Sequence, residues 1–202
     1  MSRGRAVVVE LVGPAGAGKT TLARGVSAVD ATVRSGLSLW GLPRRRLLRS
    51  AIALLPTIVG AGFDHAPLRA GEIAQMIRLG ALRQVVADES LRHRVIILDE
   101  GPVFALSWLD MFFARNSDHV PAAWRRRVIA DWAELLDVVV FIDATDIFFG
   151  FSAGFRRAFE RALGELAEAG HLVVDTLSTE TGPLSENTAR LMARLKQRRN
   201  GH

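Results

Sequence analysis

Residues 6–20 read AVVVELVGPAGAGKT, and this stretch decides the fold. Ala6–Val12 is apolar except for Glu10 and rich in β-branched side chains, as in a strand covered on both faces of a parallel sheet. A glycine-rich turn follows, and Lys19–Ser27 then opens a helix. Gly13, Pro14, Ala15, Gly16, Ala17, Gly18, Lys19 and Thr20 match the phosphate-loop pattern G-x-x-x-x-G-K-[ST], lying after a strand and before a helix as that loop requires. Glycines let the backbone wrap a phosphate closely, and successive N–H groups and the next helix's N-terminus point at the anion. Lys19 would reach the β- and γ-phosphates of ATP, Thr20 would offer its hydroxyl to Mg²⁺, and Thr21 completes the nucleotide-binding stretch. The chain has 24 arginines but only two lysines, Lys19 and Lys196. A lysine at position 19, against that bias, fits a need for a compact ammonium.

The second informative stretch is VIILDEGP, residues 95–102. A buried strand ends in two adjacent carboxylates and a Gly-Pro stop. Beside the first strand, it would bring Asp99 to the C-terminal edge of the sheet, where open α/β folds bind ligands. There Asp99 would share the metal with Thr20. Glu100 has three readings: it orients water, it contacts an acceptor, or it pairs structurally with an arginine. Its residue type alone does not choose among them.

Outward from these stretches, strands alternate with helices. Strands are expected at Val95–Asp99, Val138–Asp143 and His171–Asp175, with a short one around Thr32–Arg34. Helices are expected over Leu42–Val59, Ala70–Ser90, Val103–Arg115, Pro121–Asp137, most of Ala144–Glu168, and Leu184–Arg199. The fold class is therefore α/β, three layers with a mainly parallel sheet and helices on both faces. The 202 residues suit a single domain, with residues 31–90 as a helical insertion facing an acceptor. The apolar run Leu47–Phe63 is expected to be a buried helix kinked or broken at Pro56.

The chain has no cysteine, which excludes disulfides and thiolate metal sites. Five histidines without metal-ligand spacing give no expectation of zinc. The early apolar run is too short for a secretory signal, and the Leu47–Phe63 run is too short and too interrupted to span a bilayer. A cytoplasmic protein without a membrane span is expected. A net charge of +5 attracts anions weakly, but no nucleic-acid motif accompanies it, so no specific nucleic-acid binding is expected. Apolar helix faces around Leu47–Val59 would permit a homodimer.

Several weaker candidates remain. Arg156, Arg157 and Arg161 could clamp phosphates as charge develops in transfer, or form a solvated helix face. Asp64, His65, Arg69, Arg78 and Arg83 lie in the insertion, where one or two would line an acceptor pocket. Glu10 inside an apolar strand would be costly unless paired or near an end of the sheet.

On GPAGAGKTT (13–21), ILDEGP (97–102), VVFIDAT (139–145) and HLVVDT (171–176), the chain resembles the nucleotide and nucleoside kinase branch of the phosphate-loop fold. Thymidylate-kinase-like proteins are the most similar group. The resemblance implies that Thr176–Thr181 forms an adenine-side loop and that Arg83, in ALRQV (81–85), is the counterpart of a substrate-phosphate arginine. Two departures stand out. Asp99-Glu100 replaces the family's usual Asp-Arg, and the arginine-bearing lid is shortened. The function expected is γ-phosphoryl transfer from ATP to a small-molecule acceptor, such as a nucleoside or nucleotide. Lys19, Asp99, Glu100, Arg156 and Arg157 would be the catalytic residues. The alternative is an ATPase or ATP-dependent switch working with a protein partner, in which Glu100 positions water.

Overall fold

A computed structural model describes residues 5–13, 16–64, 68–113, 121–143, 153–178 and 184–200. In chain order the elements are β1 (Val7–Val12), α1 (Lys19–Val29), β2 (Val33–Leu37), α2 (Arg44–Asp64), α3 (Ala70–Glu89), β3 (Val95–Leu98), α4 (Pro102–Phe113), α5 (Ala122–Ala133), β4 (Val138–Asp143), α6 (Ala153–Ala169), β5 (Val173–Ser178) and α7 (Leu184–Asn200). The strands form one parallel sheet in the order β2-β3-β1-β4-β5.

The strands' side chains alternate between two cores. Val7, Val9 and Leu11 pack with Leu22 and Val26 of α1 and Leu191 and Leu195 of α7. Val8 and Val12 face the opposite way, with Leu98, Leu106 of α4, Trp132 of α5 and Leu166 of α6. Helices therefore cover both faces, which explains why β1 and β3 are buried end to end. Arg125 of α5, 8% exposed, ties the second helical layer together. Its guanidinium lies 2.6 Å from Asp110 on α4 and 2.8 Å from Glu165 on α6. A buried cation is tolerated there because carboxylates on two helices neutralise it.

Several boundaries differ from those read from the sequence; α5, for example, ends at Ala133 rather than Asp137. β2 runs to Leu37 rather than ending near Arg34, because its pairing with β3 continues past an irregularity between Arg34 and Leu37. β5 starts at Val173 rather than His171, where pairing with Val138 of β4 begins. α2 continues unbroken through Pro56 to Asp64. Pro56 lies on the exposed side, where water can meet the carbonyl that lacks its usual helical donor. The expected helix beginning at Ala144 starts at Ala153; residues 144–152 lie outside the described set.

α2 is buried on one face only. Leu54 and Ala61 point inward, and the helix packs along α3. Leu48, Ile52, Leu55 and Val59 are each more than half exposed and form an outward apolar stripe. The expectation of a dimer rests on this stripe. Among the described residues, no helix is long and apolar enough to cross a membrane.

Candidate functional site

The strand order places β1 beside β3, and the chain leaves these two strands toward opposite faces. α1 packs in one layer and α4 in the other. This reversal opens a crevice at the strands' C-terminal ends, where α/β sheets bind ligands. The phosphate loop forms one lip and Asp99-Glu100 the other.

On the first lip, Gly16 and Gly18 adopt left-handed backbone angles, φ 84° and 80°, which only glycine takes readily. The Lys19 ammonium donates to the Gly13 carbonyl at 2.7 Å and so folds back over the loop. Burial lowers the Lys19 pKa, while Glu100 and Asp99 oppose that shift. Pro14 and Ala15 lie outside the described residues. Gly13 packs against β4, and a Cβ on it would meet the Ile142 carbonyl oxygen at 2.7 Å. Backbone cannot give way as a flexible side chain can. Gly13→Ala is expected to cost about 1–3 kcal/mol of stability, read as a lower urea midpoint. An unchanged midpoint would mean that the loop shifts freely off β4.

On the second lip, the Asp99 amide donates to Leu37 of β2 at 3.0 Å, which fixes where the strand ends. The Thr20 hydroxyl donates to the Asp99 carboxylate, so the sequence-predicted metal pair is brought together. Burial raises the Asp99 pKa, opposed by that hydroxyl and by Lys19 and Arg24. Asp99 Oδ1 is buried without a hydrogen-bond partner among the described residues. An unpartnered hard oxygen beside a hydroxyl suits Mg²⁺, so the residues present fit the ion.

Glu100 lies beside them, with Oε2 buried and without a hydrogen-bond partner among the described residues. Its pKa is raised first by burial and also by Asp99, against a hydrogen bond from Trp40 and the charge of Lys19. Trp40, just beyond β2, is 53% exposed and carries the Arg78 guanidinium of α3 over its ring, 4.3 Å from the centroid. The chain Arg78–Trp40–Glu100 thus links the insertion to the crevice. The sequence reading named Arg78 but missed Trp40. The available signal was a lone tryptophan followed by Gly41, a left-handed glycine, just after a strand.

Glu10 lies near the C-terminal end of the sheet, opposite Leu98, the last residue of β3, and its partners among the described residues are backbone amides rather than a cation. It is completely buried, and its carboxylate accepts the amides of Gly101, Val103 and Phe104 at 2.9, 2.9 and 3.0 Å. Those amides open α4 and would otherwise lack acceptors. The carboxylate also meets the helix's positive end. Burial raises the Glu10 pKa to about 7, against the three amides, with Glu100 adding a smaller push upward.

Other candidates lie farther out. Arg156 and Arg157 sit exposed in the first turns of α6, where Arg156 pairs with Glu160 at 3.1 Å. Arg161 is 3.0 Å from Glu165. Arg83 reaches α5 and lies 3.3 Å from Asp131. The Arg69 amide donates to Glu72 at 2.6 Å and starts α3. Thr176 is exposed on β5. His65, the side chain of Asp64, and Thr179–Thr181 of the expected adenine-side loop lie outside the described residues.

No family model matches the chain, and no curated protein matches it. Solved structures do. Thymidylate kinase from Candida albicans superposes with a TM-score of 0.56 at 12% identity, covering 98% of this chain and 94% of that one. Thymidylate kinase from Ehrlichia chaffeensis gives 0.55 at 14% identity, covering 95% of this chain and 98% of that one. With its five-stranded parallel sheet and a phosphate loop between β1 and α1, the chain has the phosphate-loop fold of the thymidylate kinases.

Proposed function

We propose that the protein is a phosphotransferase that moves the γ-phosphoryl group of ATP to a small-molecule acceptor. The observation that carries this reading is the joining of the two lips by Thr20 on Asp99, with Glu100 beside Asp99 tied through Trp40 to the insertion. The loop amides and Lys19 would hold the β- and γ-phosphates. Thr20 and Asp99 would hold Mg²⁺, which when bound neutralises charge on the phosphate oxygens. Glu100 would accept a hydrogen bond from the acceptor's attacking group. Its partner Trp40 belongs to the segment between β2 and α2, so the acceptor would lie on the insertion side. Catalysis in this arrangement is mostly positioning and charge stabilisation. The fold's coverage of 94% and 98% of two kinase chains supports the reading.

The test is ADP release across a panel of nucleosides, nucleotides and sugars. Glu100→Gln is expected to lower acceptor-dependent turnover about 10²- to 10⁴-fold while ATP still binds. Turnover that needs no acceptor, and that Glu100→Gln abolishes, would instead identify an ATPase in which Glu100 orients water. A Glu100→Gln chain with full activity would remove the residue from the chemistry.

A further inference from the structure

Glu10 is the one buried carboxylate in the described strands that the proposed chemistry does not use. A cap for α4 alone could come from a serine or aspartate at the helix start, as in most helices. Here the cap is supplied from β1, three residues before the phosphate loop. It grips the amide of Gly101, the residue that directly follows Glu100. Gly101 leaves no spare room: a Cβ there would stand 2.7 Å from Glu10 Cδ and 3.1 Å from Leu98 Cδ1.

The Glu100 backbone is thus held between two fixed points. Before it, Leu98 pairs with Glu10 across the β1–β3 register, and the Asp99 amide is tied to Leu37. After it, Gly101 is bound by the Glu10 side chain. Beyond Glu100, the Trp40 side chain reads where its carboxylate lies. We propose that Glu10 is a positioning residue: through the Gly101 amide it sets the Glu100 carboxylate against Trp40, coupling the strand that bears the phosphate loop to the acceptor side of the crevice. The inference deepens the phosphotransferase reading and rests on it for the role of Glu100.

The experiment uses the full chain with Mg·ATP and the member of the nucleoside, nucleotide and sugar panel that best drives ADP release, in a double-mutant cycle of Glu10→Gln and Glu100→Gln. Glutamine keeps the size of Glu10 but offers one acceptor oxygen for three amides. Glu10→Gln is expected to lower acceptor-dependent ADP release about tenfold or more in the otherwise unaltered chain. With Glu100→Gln already present it should lower release less than about twofold, and the Kd for Mg·ATP should change less than about threefold. A cap that only stabilised α4 would lower release equally in both backgrounds, and that result overturns the proposal.

Trp40 supplies a readout apart from turnover. Glu10→Gln should shift its emission, and the shift should vanish when Trp40→Phe is also present. Gly101→Ala presses on the same contact from the other side and should shift the emission too, which keeps the test available if Glu10→Gln does not fold. Emission unmoved by either change overturns the coupling. Acceptor-dependent release unaffected by Glu100→Gln removes the phosphotransferase role of Glu100, while the Trp40 emission still decides whether Glu10 positions it.

Discussion

Lys19→Ala is expected to lower Mg·ATP turnover about a hundredfold to a thousandfold, the usual loss when one preorganised charge donor is removed from a phosphoryl-transfer site. The ammonium already rests over the loop, on the Gly13 carbonyl, and lies close enough to Asp99 and Glu100 for both to favour its charge. Truncation therefore removes the nearest positive charge from two carboxylates whose pKa values burial has already raised. Both should then hold their protons to higher pH. The variant's residual turnover should peak at a higher pH than that of the unaltered chain. Lys19→Arg should not restore activity, because a planar fork cannot occupy the place of a point charge inside the loop. Turnover within tenfold of the original, measured at saturating ATP, would end the assignment of Lys19 to the γ-phosphate.

The second large effect concerns stability and pH. Glu10 has an ordinary pKa of 4.5 and is raised to about 7 in the folded chain. Between those values the folded state keeps a proton that the unfolded state has released. Its stabilising contribution is fully present below 4.5, declines as pH rises through 7, and is constant above that. The decline amounts to about 3 kcal/mol. Urea unfolding at pH 5 and pH 8 measures it. The unaltered chain should lose about 2–3 kcal/mol more than Glu10→Gln over that interval, since glutamine has nothing to titrate at position 10. Parallel behaviour of the two chains would show that the three α4 amides keep Glu10 ionised throughout.

The phosphate loop could be read because its chemistry is local. Eight consecutive residues supply the turn, the ammonium and the hydroxyl, so spacing alone identifies them. Asp99 followed, since an apolar strand ending in a carboxylate has one natural place beside that loop. Trp40 could not be read in this way. Its contact with Glu100 spans sixty residues and depends on how β2 pairs with β3, including the irregularity between Arg34 and Leu37. Glu10 was legible as an anomaly but not as a cap, because its partners lie on the far side of β3, ninety-one to ninety-four residues away. Pro56 misled for a related reason: a proline's effect on a helix depends on which side faces water, and that is settled by packing against α3.

The position of β1 in the sheet has a consequence for the order in which the molecule can be assembled. The ribosome makes the residues that would hold the nucleotide before it makes any of β2 to β5. Yet their strand lies between β3 and β4, whose pairing residues run from Val95 to Phe141. No nascent chain ending before Phe141 can complete both flanks of the nucleotide loop. Contacts so distant in sequence form slowly, because a long segment must be ordered before they close. Until then β1 carries an open edge and an unsatisfied apolar face, which is the condition in which half-made chains associate wrongly.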